Sequence, residues 1–203
     1  MKRSLGVLGI VVGFAVCLPL TEASGRPAVA AADRPVSELA LKASQVGPGY
    51  RAQVVPGGRQ VKGKVTLDLC GFRYLSDSFR TSRIQLAYGH RRSPLVLSNE
   101  VVRYRGAGAQ LARQELTAAV SQCPRAWKLT RLRDSRLLPI SFAVDARISG
   151  TRDGKPVVSN ILFVYQIEGN VLSAVYAFGG TAAARRSFGL RAAALSAKNL
   201  RQA

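Results

Sequence analysis

The sequence predicts an α+β fold, an antiparallel β-sheet with helices packed on it and one disulfide staple. Three stretches carry this reading: a β-meander over residues 139–179, an amphipathic helix over Ala107–Cys123, and an Ala-rich helix over Ala182–Leu200. In Pro139–Arg152 the apolar residues Ile140, Phe142, Val144, Ala146 and Ile148 alternate with Ser141, Asp145, Arg147 and Ser149. That period of two puts one face on a core and the other in water. Asp153-Gly154 suits a type I′ hairpin, which needs positive φ at both turn positions. Val157–Ile167 is apolar on both faces, as expected of a central strand. Gly169-Asn170 makes a second tight turn into Val171–Phe178.

The other elements follow from the same rules. Val36–Gly47 has Leu39, Ala40, Ala43 and Val46 at helical spacing, Ser37 to cap it and Gly47-Pro48-Gly49 to stop it. Strands are expected over Tyr50–Val55, Val65–Leu69, Arg83–Gly89, Pro94–Arg105 and Trp127–Arg133, with an irregular or single-turn segment over Phe72–Phe79. In Ala107–Cys123 the residues Ala109, Ala112, Leu116, Ala119, Val120 and Cys123 share one face, and Pro124 ends the helix. Thr181 can cap the last helix. Its packing face is ambiguous between a Phe188, Ala192, Leu195 stripe and a Leu190, Ala194, Ala197 stripe. No repeat or domain linker interrupts residues 33–203, so they read as a single domain.

Residues 1–32 read as a secretory signal peptide. Lys2 and Arg3 precede the apolar run Leu5–Leu20, and Ala30-Ala31-Ala32 supplies small residues before Asp33. No later run approaches the roughly 20 apolar residues that span a bilayer. Cys17 lies inside the leader. The triplet Phe14-Ala15-Val16 before it fits a lipidation signal badly, so Cys17 is expected to be discarded; a lipid anchor on Cys17 is the alternative. Cys70 and Cys123 then remain as an even pair in an oxidising compartment, and a disulfide between them is expected.

Several chemistries lack their residues. There is one His, His90, set in the loop His90-Arg91-Arg92-Ser93, and no nucleophile elbow, zinc-binding helix, nucleotide-phosphate loop or dinucleotide fingerprint. Two Cys and one His at these spacings make no zinc pattern, and no metal or other cofactor is implied. A paired-carboxylate hydrolase would draw on Asp68, Asp77, Glu100, Asp145 and Glu168, which spacing alone does not bring together. Arg105-Gly106-Ala107-Gly108 leads into a helix whose N-terminus can receive an anion, although a plain strand-to-helix turn is the preferred explanation.

The charge is unusual. The chain carries 30 Lys and Arg against 11 Asp and Glu, a net charge of +19; the leader holds three bases and one acid, which leaves +17 after its removal. Arg103 and Arg105 on one strand, and Arg131 and Arg133 on another, form a candidate anion-binding group, with Arg125, Lys128 and Arg136 close by in sequence. Such a face attracts anionic polymers and lipid headgroups. A solvated, Arg-biased surface is the plainer explanation.

The stretches Val46-Gly47-Pro48-Gly49-Tyr50, Leu67-Asp68-Leu69-Cys70-Gly71, Ser98-Asn99-Glu100-Val101-Val102-Arg103-Tyr104, Cys123-Pro124 and Gly169-Asn170-Val171-Leu172 form a further pattern. It resembles the secreted or lipid-anchored sensor-like domains of actinobacteria, similar to the extracellular sensor domain of mycobacterial Ser/Thr receptor kinases of the PknH type. The resemblance implies a helix-and-sheet domain with a cleft, disulfide stapling and no enzymatic activity. That kinase sensor domain has two disulfides; this mature chain can make one, and it has no kinase domain or membrane span. The expected function is therefore that of an exported, non-catalytic envelope binding or sensor-like protein. Its ligand is a small or polymeric envelope component, anionic if the basic surface is functional, with peripheral contact to the membrane surface and no specific nucleic-acid partner. An exported carboxylate-dependent hydrolase acting on a cell-wall polymer is the alternative.

Overall fold

The computed structural model describes residues 34–62 and 69–201. The leader, Cys17 and positions 65–68 of the expected Val65–Leu69 strand lie outside the described residues; Leu69 is buried beside Cys70. In chain order the elements are α1 (Val36–Leu39), α2 (Ala43–Val46), β1 (Arg51–Val54), a 3-10 turn (Leu75–Phe79), β2 (Arg80–Gly89), β3 (Val96–Tyr104), α3 (Gly108–Ser121), β4 (Trp127–Leu132), β5 (Ser141–Arg152), β6 (Lys155–Glu168), β7 (Val171–Phe178) and α4 (Ala182–Arg201).

The strands form one antiparallel sheet in the order β1-β2-β3-β7-β6-β5-β4. Two meanders meet where β3 pairs with β7, with Asn99 opposite Val175. The α+β reading of the sequence is borne out, as is the 139–179 meander. Asp153 and Gly154 both have positive φ, 52° and 74°, as the type I′ turn requires.

Alternation along the strands builds two cores. Phe142 and Val144 of β5, Phe163 and Tyr165 of β6, and Leu172 and Tyr176 of β7 face one side, beneath Ala109, Ala112, Leu116 and Ala119 of α3. Leu162, Val164, Val175 and Ala177 face the other, beneath Phe188, Ala192 and Ala193 of α4, with α1 and α2 alongside. The disulfide joins Cys70 to Cys123 just past the end of α3, with Cα atoms 4.9 Å apart. It pins the 69–79 segment over the α3 side of the sheet.

Four expectations need correction. The single helix over Val36–Gly47 is broken into α1 and α2, with Ala40 extended and no side-chain bond from Ser37 at its start. The break is tertiary: Leu41 N–H donates to Asn99 Oδ1 at 2.9 Å, and the Tyr88 hydroxyl donates to the Leu41 carbonyl. Ile140 lies before β5 and is exposed rather than in the core. The polar face of β5 is not uniformly in water, because Asp145 is buried under α4 between Arg185 and Arg186. The apolar run of β6 is central only in its second half; Val157 and Val158 stand in solvent.

The packing face of α4 is also resolved by contact. Phe188, Gly189, Ala192, Ala193, Ser196, Ala197 and Leu200 are buried, and Thr181 Oγ1 accepts the Ala184 amide as expected. Gly189 makes this face possible, since a Cβ there would come within 2.4 Å of Leu162 Cδ2 and 2.9 Å of Ala177 Cβ.

Candidate ligand-binding groove

One end of the sheet, where β5 begins and β4 and β6 finish, is left open between α3 and the 133–140 loop. Three adjoining hollows run along it. The first, about 290 Å³, lies between the N-terminus of α3 and the β6–β7 turn, lined by Ala107, Gln110, Arg113, Ile140 and Ile167 among others. The second, about 140 Å³, shares Arg113, Ile140 and Ile167 and adds Leu116, Arg131 and Phe142. The third, about 760 Å³, shares Arg131, Pro139, Ser141 and Phe142 and opens past Arg133 and Asp134 to Arg201. The shared walls make one groove.

Local rules place each wall. Arg113 sits one helical turn beyond the buried Ala109, on the flank of α3 that borders its core face. Arg131 follows Trp127 and Leu129 at a period of two on the edge strand β4, so it faces the α3 side, and its guanidinium lies 5.0 Å from the Phe142 ring centre. No side chain caps α3 at Ala107, and its first turn lines the first hollow, so the positive end of its dipole lies at that end of the groove. Gln166 holds the opposite wall: its Oε1 accepts the Leu138 amide at 3.0 Å while its Nε2 donates to Ala193 O at 2.9 Å.

The groove is apolar and cationic. No carboxylate lines its first two hollows. In the third, Asp134 accepts from Arg136 Nε at 2.9 Å and from the Arg136 amide at 3.0 Å, and these bonds hold its carboxyl below the usual aspartate value. A depressed folded pKa stabilises the fold above the unfolded carboxyl value of 3.8 and loses that contribution as pH falls through the folded value. Asp134→Asn is therefore expected to melt slightly below wild type at neutral pH and to converge with it in strong acid, a comparison made by thermal melts across a pH series.

The four arginines expected to share one anion-binding field are divided. Three strands lie between β3 and β4. Four strand spacings of about 4.8 Å put the pairs roughly 19 Å apart, about twice the screening length at physiological salt. Arg103 donates to Arg34 O at 2.7 Å, and Arg105 donates to Ser78 O at 3.3 Å and lies over Phe79. Arg131 and Arg133 both line the groove.

The acidic candidates do not assemble a hydrolytic pair. Asp68 lies outside the described residues. Glu168 is exposed at the end of β6. Asp145 is taken by Arg185 and Arg186. Burial raises the carboxyl pKa of both Asp77 and Glu100, but each is bonded to an arginine, Arg80 and Arg83 respectively, and neither lines the groove. His90 accepts the Arg92 amide at Nδ1 and packs on Tyr50. Among the described residues no group of three His, Cys, Asp or Glu side chains could hold a metal ion.

The sequence reading missed Arg113, Phe142 and Ile140 as site residues. Their pattern signals only an exposed helix position and an alternating strand; the groove exists because α3 stops short of the start of β5. It also missed Glu115, a buried carboxylate within the apolar face of α3, which accepts the amides of Leu75 at 2.6 Å and Ser76 at 3.1 Å.

No family model matches the chain, and no curated protein matches its sequence. The fold is similar to the crystal structure of the extracellular domain of PknH from Mycobacterium tuberculosis, with a TM-score of 0.55 and 14% identity over 80% of this chain and 95% of that one. The resemblance read from short motifs thus holds at the level of the fold. No described helix is long and apolar enough to cross a membrane.

Proposed function

We propose that this chain is an exported, non-catalytic binding protein of the cell envelope, whose groove takes an amphipathic ligand with an anionic head. The observation that carries this is the wall composition: Arg113 and Arg131 line a hollow with Phe142, Ile140, Ile167 and Leu116, and none of the described carboxylates lines the first two hollows. A guanidinium against an apolar wall can bond an anion while the rest of the ligand loses its contact with water. The uncapped start of α3 adds favourable potential at one end. The absence of catalysis is supported by the arginines that occupy Asp77, Glu100 and Asp145. An extracytoplasmic location is supported by the disulfide, by the fold shared with an extracellular domain and by the apolar leader, which we take to be cleaved before Asp33.

Dodecyl phosphate and dodecyl maltoside, titrated calorimetrically below their micellar concentrations, test this reading. The phosphate is expected to bind and the neutral sugar to bind more weakly. Arg113→Gln with Arg131→Gln should weaken dodecyl phosphate by about tenfold or more, the loss of at least one charge-assisted hydrogen bond. Equal affinity of variant and wild type would remove the groove from consideration.

A further inference from the structure

The far end of the sheet carries a second surface. β4 pairs with β5 only as far as Trp127 opposite Ile148, and β7 pairs with β6 only as far as Phe178 opposite Ile161. Beyond these, Ser149–Val158, Gly150–Val157, Thr151–Pro156 and Arg152–Lys155 extend the hairpin past the neighbouring strands. The Ser149 amide still donates to Ala126 O at 3.0 Å, and Val158 shares a shallow hollow with Gly179, Gly180 and Arg185 at the start of α4; past these the hairpin continues as a two-stranded ribbon. Val157 and Val158 point to opposite faces of this ribbon and are 38% and 49% exposed. An ordinary solvent-facing ribbon would carry polar side chains at both positions.

Cations ring its base. Lys128 stands directly across from Arg147, on the same face of neighbouring strands. Like charges in that relation destabilise a sheet, and no ion pair among the described residues involves either one. Arg125 is exposed nearby, Lys155 is exposed at the tip of the ribbon, and the single acid of the ribbon, Asp153, lies in its turn. An anionic partner would relieve the Lys128–Arg147 repulsion, and an apolar layer behind the anions would receive Val158, which lies on the same face as that pair.

We propose that this ribbon and the cations at its base form a docking surface for an anionic lipid membrane. Charge alone would suit any polyanion; the exposed Val158 beside the cations favours a bilayer, whose headgroups lie above hydrocarbon. The geometry is compatible with ligand capture at the other end. The groove lies at the start of β5 and the tip at the finish of this 12-residue strand, roughly 36 Å away at ~3.3 Å per residue. The proposal does not rest on the groove reading.

Co-sedimentation with vesicles tests it, using the protein as exported and comparing phosphatidylglycerol–phosphatidylcholine mixtures with pure phosphatidylcholine across a salt series. Wild type is expected to bind the anionic vesicles and to be released by salt. Lys128→Gln with Arg147→Gln should weaken binding at low salt by about tenfold or more. Val157→Thr with Val158→Thr keeps β-branched strand formers in place and should weaken vesicle binding severalfold while leaving binding to soluble dextran sulfate unchanged. Arg51→Gln, on the opposite edge strand β1, should bind vesicles as wild type does. Unaltered vesicle binding by the charge variant would overturn the proposal. Unaltered vesicle binding by the valine variant would also overturn it, and would indicate a surface that reads anionic polymers through charge alone. Melting temperatures close to wild type confirm that both variants are folded.

Discussion

Replacing Cys123 by Ala, or reducing the bridge, is expected to cost about 2–5 kcal/mol of stability. The bridge closes a loop of 53 residues' separation, for which the chain-entropy model gives about 4 kcal/mol. Its local consequence is as large as its global one. Residues 69–74 are outside any helix or strand, and yet Leu69, Cys70 and Tyr74 are buried against the α3 side of the sheet. Besides the bridge, the amides of Leu75 and Ser76, just past this segment, donate to Glu115 of α3. Urea unfolding with and without reductant measures the cost. Limited proteolysis adds the location: cleavage at Arg73 is expected only after reduction. A reduced protein as stable as the oxidised one, with Arg73 still protected, would show that Glu115 and apolar burial hold the segment without the bridge.

Removing either member of the Arg83–Glu100 pair is expected to cost about 3–5 kcal/mol, whereas replacing both by apolar residues costs far less. Glu100 is 1% exposed and its carboxylate bonds Arg83 Nε. Burial pushes this carboxyl up and the Arg83 guanidinium pulls it down. Arg83 also donates to Gly57 O at 2.9 Å and Gln85 Oε1 at 2.7 Å, so it ties the 55–60 loop to the sheet. Glu100→Leu alone leaves a buried guanidinium short of its counter-charge. Arg83→Met alone leaves a buried carboxylate that must take up a proton. A double-mutant cycle by denaturant unfolding separates the cases. Single variants that are nearly neutral would mean that water reaches the pair; a double variant as unstable as the sum of the singles would mean that the two side chains do not act as a unit.

Periodicity carried much of the fold. In β5 apolar residues alternate from Phe142 to Ile148, β7 is apolar on both faces as a central strand should be, and the turns between the last three strands are built on residues suited to positive φ, so local geometry agrees with the final sheet. α3 was legible for a similar reason, since its small apolar residues recur at helical spacing. The failures share a cause as well. Residues 36–47 have a helical pattern, but Asn99, nearly 60 positions away, claims the Leu41 amide. Val157 and Val158 read as central strand because periodicity reports which face a residue takes, not whether anything covers that face. The four-arginine group failed because strand order is not written in strand pattern: β3 and β4 are consecutive strands in sequence and far apart in the sheet.

By itself the sequence determined the element types, the antiparallel meander, the Cys70–Cys123 pairing and the excess of positive charge. These follow from spacing, turn chemistry and cysteine parity, which act over a few residues or over the whole composition. Only the tertiary structure decided that β3 joins β7, that Gly189 is a packing contact, that Arg113 and Arg131 line one hollow with Phe142, and that a ribbon with two exposed valines extends past the neighbouring strands. Each of these depends on which distant surfaces are brought into contact, and burial, charge separation and groove walls exist only after that contact is made.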